Sequence, residues 1–188
     1  LAAFTAMAPL ATWSPQAEAA TPRDALVVAK SIDDIITLDP GECYELSGIE
    51  VTTNLYDRIL RYEADDLNKM VGGVAETWTV SPDGKTYTFK IRPGQKFMSG
   101  NPITAEDCAW SLQRVVIMNK TSAFLLTQFG WTKDNVKDLV QATDPATLTT
   151  VAVLDHAVGQ CQLAAIDEHG PTAFGSGVAV RERDARDL

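Results

Sequence analysis

Two alternating segments around a five-residue turn constrain this chain more than anything else in it. Glu76-Thr77-Trp78-Thr79-Val80 and Thr86-Tyr87-Thr88-Phe89-Lys90-Ile91 each interleave polar and apolar side chains. Between them lies Ser81-Pro82-Asp83-Gly84-Lys85, where proline presets φ and glycine tolerates positive φ. Period-two segments on either side of such a turn make a β-hairpin. On one face Trp78 and Val80 are expected to meet Tyr87, Phe89 and Ile91 and to bury an aromatic patch.

Arg92-Pro93-Gly94 ends the hairpin, and residues 97–102 read as a loop. Thr104-Ala105-Glu106-Asp107 then resembles a capping box with aspartate in place of the usual glutamate. Ala105, Cys108, Ala109, Leu112, Val115 and Val116 follow as an apolar stripe at helical spacing. Upstream, residues 25–29 form an apolar strand candidate and Asp39-Pro40-Gly41 a turn. Ile49, Leu55, Tyr56 and Ile59 stand near helical spacing and predict a short helix running toward Tyr56-Asp57, followed by a short strand at 59–62. Residues 70–74 read as a glycine-containing turn before a strand. Downstream, a helix over 122–128 stops at Gly130, and residues 136–141 and 148–153 suggest a second hairpin joined through Thr143-Asp144-Pro145-Ala146.

The ends differ in character from this middle. Residues 1–11 are apolar, small and uncharged, and Ala17-Glu18-Ala19 offers a small-x-small cleavage pattern. The run is too short to span a bilayer. Residues 1–19 are therefore expected to be a remnant export signal. Beyond about Leu154, glycine and proline interrupt every periodicity, and residues 181–188 are charged with mixed sign, so 155–188 are expected to be a poorly ordered tail.

A chain of 188 residues is long enough for one domain with a core. Its net charge of −9 argues against nucleic acid or an anionic membrane surface as the main partner. Cys43, Cys108 and Cys161 are an odd number with no CxxC spacing, and Cys108 falls on the apolar stripe as a buried thiol. Catalytic signatures are missing: there is no GxSxG, P-loop, HExxH or GxGxxG. His156, Cys161 and His169 lack tight metal-ligand spacing, and Asp65-Asp66 reads as a solvated loop pair. No enzyme activity, cofactor or metal site is expected.

Residues 74–97, with Ser99-Gly100-Asn101-Pro102-Ile103-Thr104-Ala105-Glu106-Asp107 and Ser111-Leu112-Gln113-Arg114, resemble the signature of family 5 extracytoplasmic solute-binding proteins. Ser31-Ile32-Asp33, Leu38-Asp39-Pro40 and Leu55-Tyr56-Asp57-Arg58-Ile59 match the usual approach to that block, and the similarity runs from about Asp24 to Leu154. The resemblance implies an α/β chain: the incomplete first lobe of a periplasmic-binding-protein type II-like fold, over residues 20–154, with a β-hairpin and a capped helix. It implies a periplasmic receptor that delivers peptides to the permease subunits of an ABC importer, without direct membrane insertion. In such receptors two lobes close on the ligand.

The signature itself reads as scaffold: core aromatics, a turn and a cap. The loop after Asp39-Pro40 is the part that resemblance brings to the ligand. Cys43, Tyr44, Glu45 and Leu46 are the expected contacts, with Tyr44 as an aromatic wall and Glu45 accepting from a cationic group. No residue here matches the acidic group that the family's second lobe offers a peptide's amino end. The match fades before a first lobe is finished, so a truncated, impaired receptor is expected. Two explanations stand for the tail: translation out of frame, or a divergent end. Nickel or an oligosaccharide as ligand, and a non-transporting fragment, stand as alternatives.

Overall fold

The computed structural model describes residues 23–153. The expected export signal (1–19) and the tail (155–188) lie outside them, and the described chain falls into two units, residues 23–31 and residues 32–153. In the first unit no strand forms at 25–29, and Leu26, Val27 and Val28 are exposed. Apolar, β-prone residues make a strand only where a ladder partner is present.

In the second unit, strands β1 (Leu60–Tyr62) and β2 (Met70–Gly72) pair antiparallel. Residues 70–74, a glycine-containing turn by sequence, begin instead with a strand, Met70–Gly72. The tight turn is left to Gly73, where a Cβ would overlap the Arg58 carbonyl oxygen. A four-stranded antiparallel sheet follows, in the order β3 (Ala75–Val80), β4 (Thr86–Ile91), β6 (Thr147–Val151), β5 (Val140–Asp144).

The β3–β4 hairpin forms as expected, in the register Trp78↔Phe89 and Val80↔Tyr87. Gly84 takes φ 71°, and Ser81 closes the turn: its N–H donates to the Thr86 carbonyl (2.9 Å), and its hydroxyl oxygen accepts the Thr86 N–H (2.8 Å). Asp83 accepts from the Ser81 hydroxyl and from the Lys85 N–H, which holds its carboxyl below the usual carboxylate range. The two strands contribute less equally to the expected buried face than the alternation suggests. Tyr87, Phe89 and Ile91 are buried, whereas Trp78 is only partly buried and Val80 is exposed. Strand β3 lies at the edge of the sheet, so its outer residues lack a neighbour to cover them.

Helix α2 (Ala105–Met118) starts on the full capping box. The Thr104 hydroxyl accepts from the Asp107 N–H (3.3 Å), and Asp107 accepts from the Thr104 N–H (2.9 Å). Asn119 ends it in the left-handed region. Its stripe of Cys108, Ala109, Leu112, Val115 and Val116 packs over β5 and β6 and joins one core with Phe89, Val140 and Leu148. Burial, with the Asp107 carboxylate adding to it, pushes the Cys108 thiol up to about 12.

Two further boundaries shift. Residues 136–139 are not strand: α4 (Val136–Leu139) is one helical turn before β5. Asn135 imposes it, accepting the Thr132 N–H (2.7 Å) and donating to the Gly130 carbonyl (3.0 Å). The expected helix over 122–128 splits into a 3-10 turn (Thr121–Ala123) and α3 (Phe124–Thr127). No helix among the described residues is long and apolar enough to cross a membrane.

Candidate functional site

The segment expected to meet a ligand, residues 39–46, is a loop leading into α1 (Leu46–Leu55). This helix starts before the expected Ile49 and ends at Leu55, just short of the expected Tyr56-Asp57. Tyr56 is already extended (φ −124°, ψ 142°), and the Ser47 N–H near the start donates to Asp34 (3.1 Å).

The loop folds around the Asp39 carboxylate and carbonyl. The carbonyl accepts from the N–H groups of Glu42 (3.0 Å) and Cys43 (2.8 Å), and Oδ1 accepts from Gly41 (2.9 Å). Across 75 residues of sequence, Arg114 of α2 grips the same carboxylate with both ends of its fork. Nη1 donates to Oδ1 (2.8 Å) and Nη2 to Oδ2 (2.6 Å). This is the bidentate, charge-assisted geometry that fixes direction as well as distance. The guanidinium also sits 5.8 Å from the Trp110 ring centroid, one turn back on the helix.

A second tie comes from the 3-10 turn, where the buried Ser122 hydroxyl donates to the Gly41 carbonyl (2.7 Å). A third is aromatic: Tyr44 meets Phe124 edge-on, with ring centroids 5.1 Å apart at 80°. An exposed pair between Lys120 and Glu42 (3.7 Å) adds little.

Held this way, the four expected contacts divide. Cys43 is buried, its sulfur filling the space where a Cβ on Gly48 would go. Burial raises its thiol pKa, and the adjacent Glu45 carboxylate adds to the effect. Tyr44 is half-buried, with its ring braced by Phe124. Glu45 is half-buried and N-terminal to α1, with Oε2 accepting the Tyr44 N–H (3.1 Å). Leu46 is 80% exposed. The loop thus has an inner residue, a braced aromatic, an anchored carboxylate and an open apolar side chain in sequence order.

Sequence reasoning named the loop but not what holds it. Arg114 entered only as part of the signature, and Ser122 and Phe124 only as parts of a helix. No local pattern signals a partner 75 residues away. A separate concavity of about 680 Å³ lies beside α2 and the β5–β6 turn, with Trp110, Gln113, Gln141 and Asp144 on its walls. Among the described residues no group of three or more His, Cys, Asp or Glu side chains is placed to hold a metal ion.

The profile of bacterial extracellular solute-binding proteins, family 5 Middle, matches residues 69–169, more than half of the chain. The chain belongs to family 5 of the extracellular solute-binding proteins. The probable D,D-dipeptide-binding periplasmic protein DdpA of Escherichia coli is 36% identical over 110 residues, which are 57% of this chain and 21% of DdpA. The nickel-binding periplasmic protein of Escherichia coli is 32% identical over 107 residues, 53% of this chain and 20% of the relative. The solved murein tripeptide binding protein MppA of Escherichia coli superposes with a TM-score of 0.55 at 26% identity, over 67% of this chain and 26% of its own.

The structural neighbours share the fold of the periplasmic peptide-binding proteins, and this family 5 chain is mixed helix and strand in the same way, with the hairpin and the capped helix in place. The matched segment spans only a fifth to a quarter of these relatives. Family 5 is a family of binding proteins, and the relatives named above are periplasmic.

Proposed function

We propose that this family 5 chain contributes one wall of an extracytoplasmic peptide-binding cleft, as part of a receptor that serves an ABC importer. The observation that carries the reading is the loop at 39–46. It is tied to α2 and to the 3-10 turn by polar contacts and to α3 by an aromatic one, and it still presents Tyr44, Glu45 and Leu46. Tyr44 would pack against a peptide backbone or side chain. Glu45 would accept from a cationic group, and Leu46 would cover apolar side chains. Cys43 would support the wall from behind rather than touch solvent. The proposed role is binding without catalysis, in keeping with a family of binding proteins.

The names of the relatives support peptides first: DdpA is described as binding D,D-dipeptides and MppA as binding murein tripeptide. The nickel-binding relative supports a second reading, in which the solute is a metal ion or its complex. Export to the periplasm and delivery to permease subunits of the inner membrane belong to the same proposal.

One wall contacts only part of a ligand, whereas an engulfed peptide finds partners for its termini and backbone on every side. The 188-residue chain is therefore expected to bind peptides weakly. Titration calorimetry against di- and oligopeptides, nickel and an oligosaccharide tests this. Weak heat with peptides alone supports the reading. Binding of nickel or oligosaccharide in preference to every peptide would reverse the order of the two readings, and micromolar or tighter peptide binding would contradict the one-wall account.

A further inference from the structure

We infer that Arg114 is the positioning residue of the ligand-facing loop, a clamp on α2 that sets where Tyr44, Glu45 and Leu46 stand. The inference rests on the reading that this loop meets the ligand, and it adds what determines the loop's geometry. Arg114 binds the loop at Asp39, ahead of the four expected contact residues in sequence. It acts one step away, through Asp39, whose carbonyl and carboxylate organise the turn at Gly41, Glu42 and Cys43.

Three features make this more than an incidental ion pair. Both fork bonds are short and both partners are largely shielded, with side-chain exposures of 19% for Arg114 and 26% for Asp39. Salt and water therefore screen the pair less than they screen an open surface pair. The guanidinium is braced from behind by Trp110 at i−4 on the same helix face. The loop, in turn, is shaped to admit it: a Cβ on Gly41 would lie 2.7 Å from Arg114 Nη1 and 3.3 Å from Asp39 Oδ1. The guanidinium lies in the space a side chain at 41 would enter, so any larger residue there has to displace the fork.

α2 is also the most firmly specified helix of the unit, started by its own capping box and buried along one stripe. A clamp rooted in it gives the loop a rigid reference, which a loop tied only to its own neighbours lacks. Lysine cannot replace it, because a single ammonium cannot engage both carboxylate oxygens in the planar fork.

Amide hydrogen exchange on the ligand-free 188-residue chain separates this role from general stability. The Glu42 and Cys43 amides, which donate to the Asp39 carbonyl, report the loop, and the Thr86–Ile91 amides of β4 report the fold. Arg114→Met is expected to raise exchange at Glu42 and Cys43 about tenfold or more, with little change in β4. Arg114→Lys should restore only part of the protection. Gly41→Ala, which removes neither charge but displaces the fork, should produce the same loop-specific loss, so the test survives if Arg114→Met unfolds the chain. Unchanged exchange at Glu42 and Cys43 in both Arg114→Met and Gly41→Ala would overturn the clamp, as would full protection with lysine.

Peptide-induced NMR shifts at Tyr44 test the underlying reading separately. In the unsubstituted chain they should appear, and in the clamp variants they should shrink. Their absence in the unsubstituted chain would overturn the loop as the ligand wall. Their persistence in variants whose loop amides have lost protection would overturn the positioning role alone.

Discussion

The hairpin with α2 and the loop with α1 are built in opposite ways from the same kinds of residue. In the first, each element carries its own instructions: a turn that closes on Ser81, a helix that starts on Thr104 and Asp107, and an apolar stripe that meets an apolar sheet face. In the second, little is local. Helix α1 has no side-chain cap at Glu45 and no acidic residue in its first turn, and Leu46 and Leu55 at its ends are exposed. Its preceding loop is held by Arg114, Ser122 and Phe124, all far away in sequence. Redundant local signals make a scaffold whose elements are specified one by one and whose stability resides in its shared core. Dispersed long-range ties make a surface whose shape depends on a few side chains, as the proposed ligand wall would require.

The two regions should therefore fail differently. The largest effect belongs to the core: Leu148→Ala removes a fully buried side chain from a central strand. It should cost about 3 kcal/mol in urea unfolding. A loss below about 1 kcal/mol would mean the sheet and α2 are not one packed unit.

An alkaline titration sharpens the same point. Burial raises the Cys108 thiol from 9.0 to about 12, so its contribution is fully present below pH 9. Above that, the unfolded chain ionises first and the contribution declines as pH climbs toward 12. Between pH 9 and 11 the unsubstituted chain should lose about 2 kcal/mol more than Cys108→Ala, a difference of slopes that cancels other titrating groups. Equal slopes would show that Cys108 is not held in the dry core.

Removing the capping hydroxyl with Thr104→Ala is worth less, about 1 kcal/mol, seen as a lower urea midpoint with an unchanged slope. Smallest of all is Leu46→Ser on the loop side. With 80% of Leu46 exposed, stability should move by less than about 0.5 kcal/mol while any peptide response weakens. A large stability loss there would erase the contrast between scaffold and wall.

What the sequence shows of this molecule follows the same division. Pro82, Asp83 and Gly84 name a turn by themselves, and Thr104 with Asp107 names a helix start, because their partners are two to five residues away. The strand at Met70–Gly72 hides in a glycine-rich run because its evidence is the ladder to β1, not its own composition. Residues 136–139 resemble a strand until Asn135 is seen folding back on Thr132 and Gly130. In the candidate site, family resemblance offers Tyr44, Glu45 and Leu46 as candidates, but nothing in the sequence points to the Asp39–Arg114 pair, since its two halves lie 75 residues apart with no pattern linking them. Local chemistry is legible, and tertiary pairing is legible only where periodicity announces a shared face.

The most direct test of the account is a residue-resolved NMR titration of the unsubstituted chain with a tripeptide at millimolar concentration. The account predicts shifts centred on Tyr44, Glu45 and Leu46, with Phe124 following its ring contact to Tyr44 and β3 and β4 unmoved. Shifts centred on the hairpin, or on the concavity beside Trp110 with none at 44–46, would contradict it.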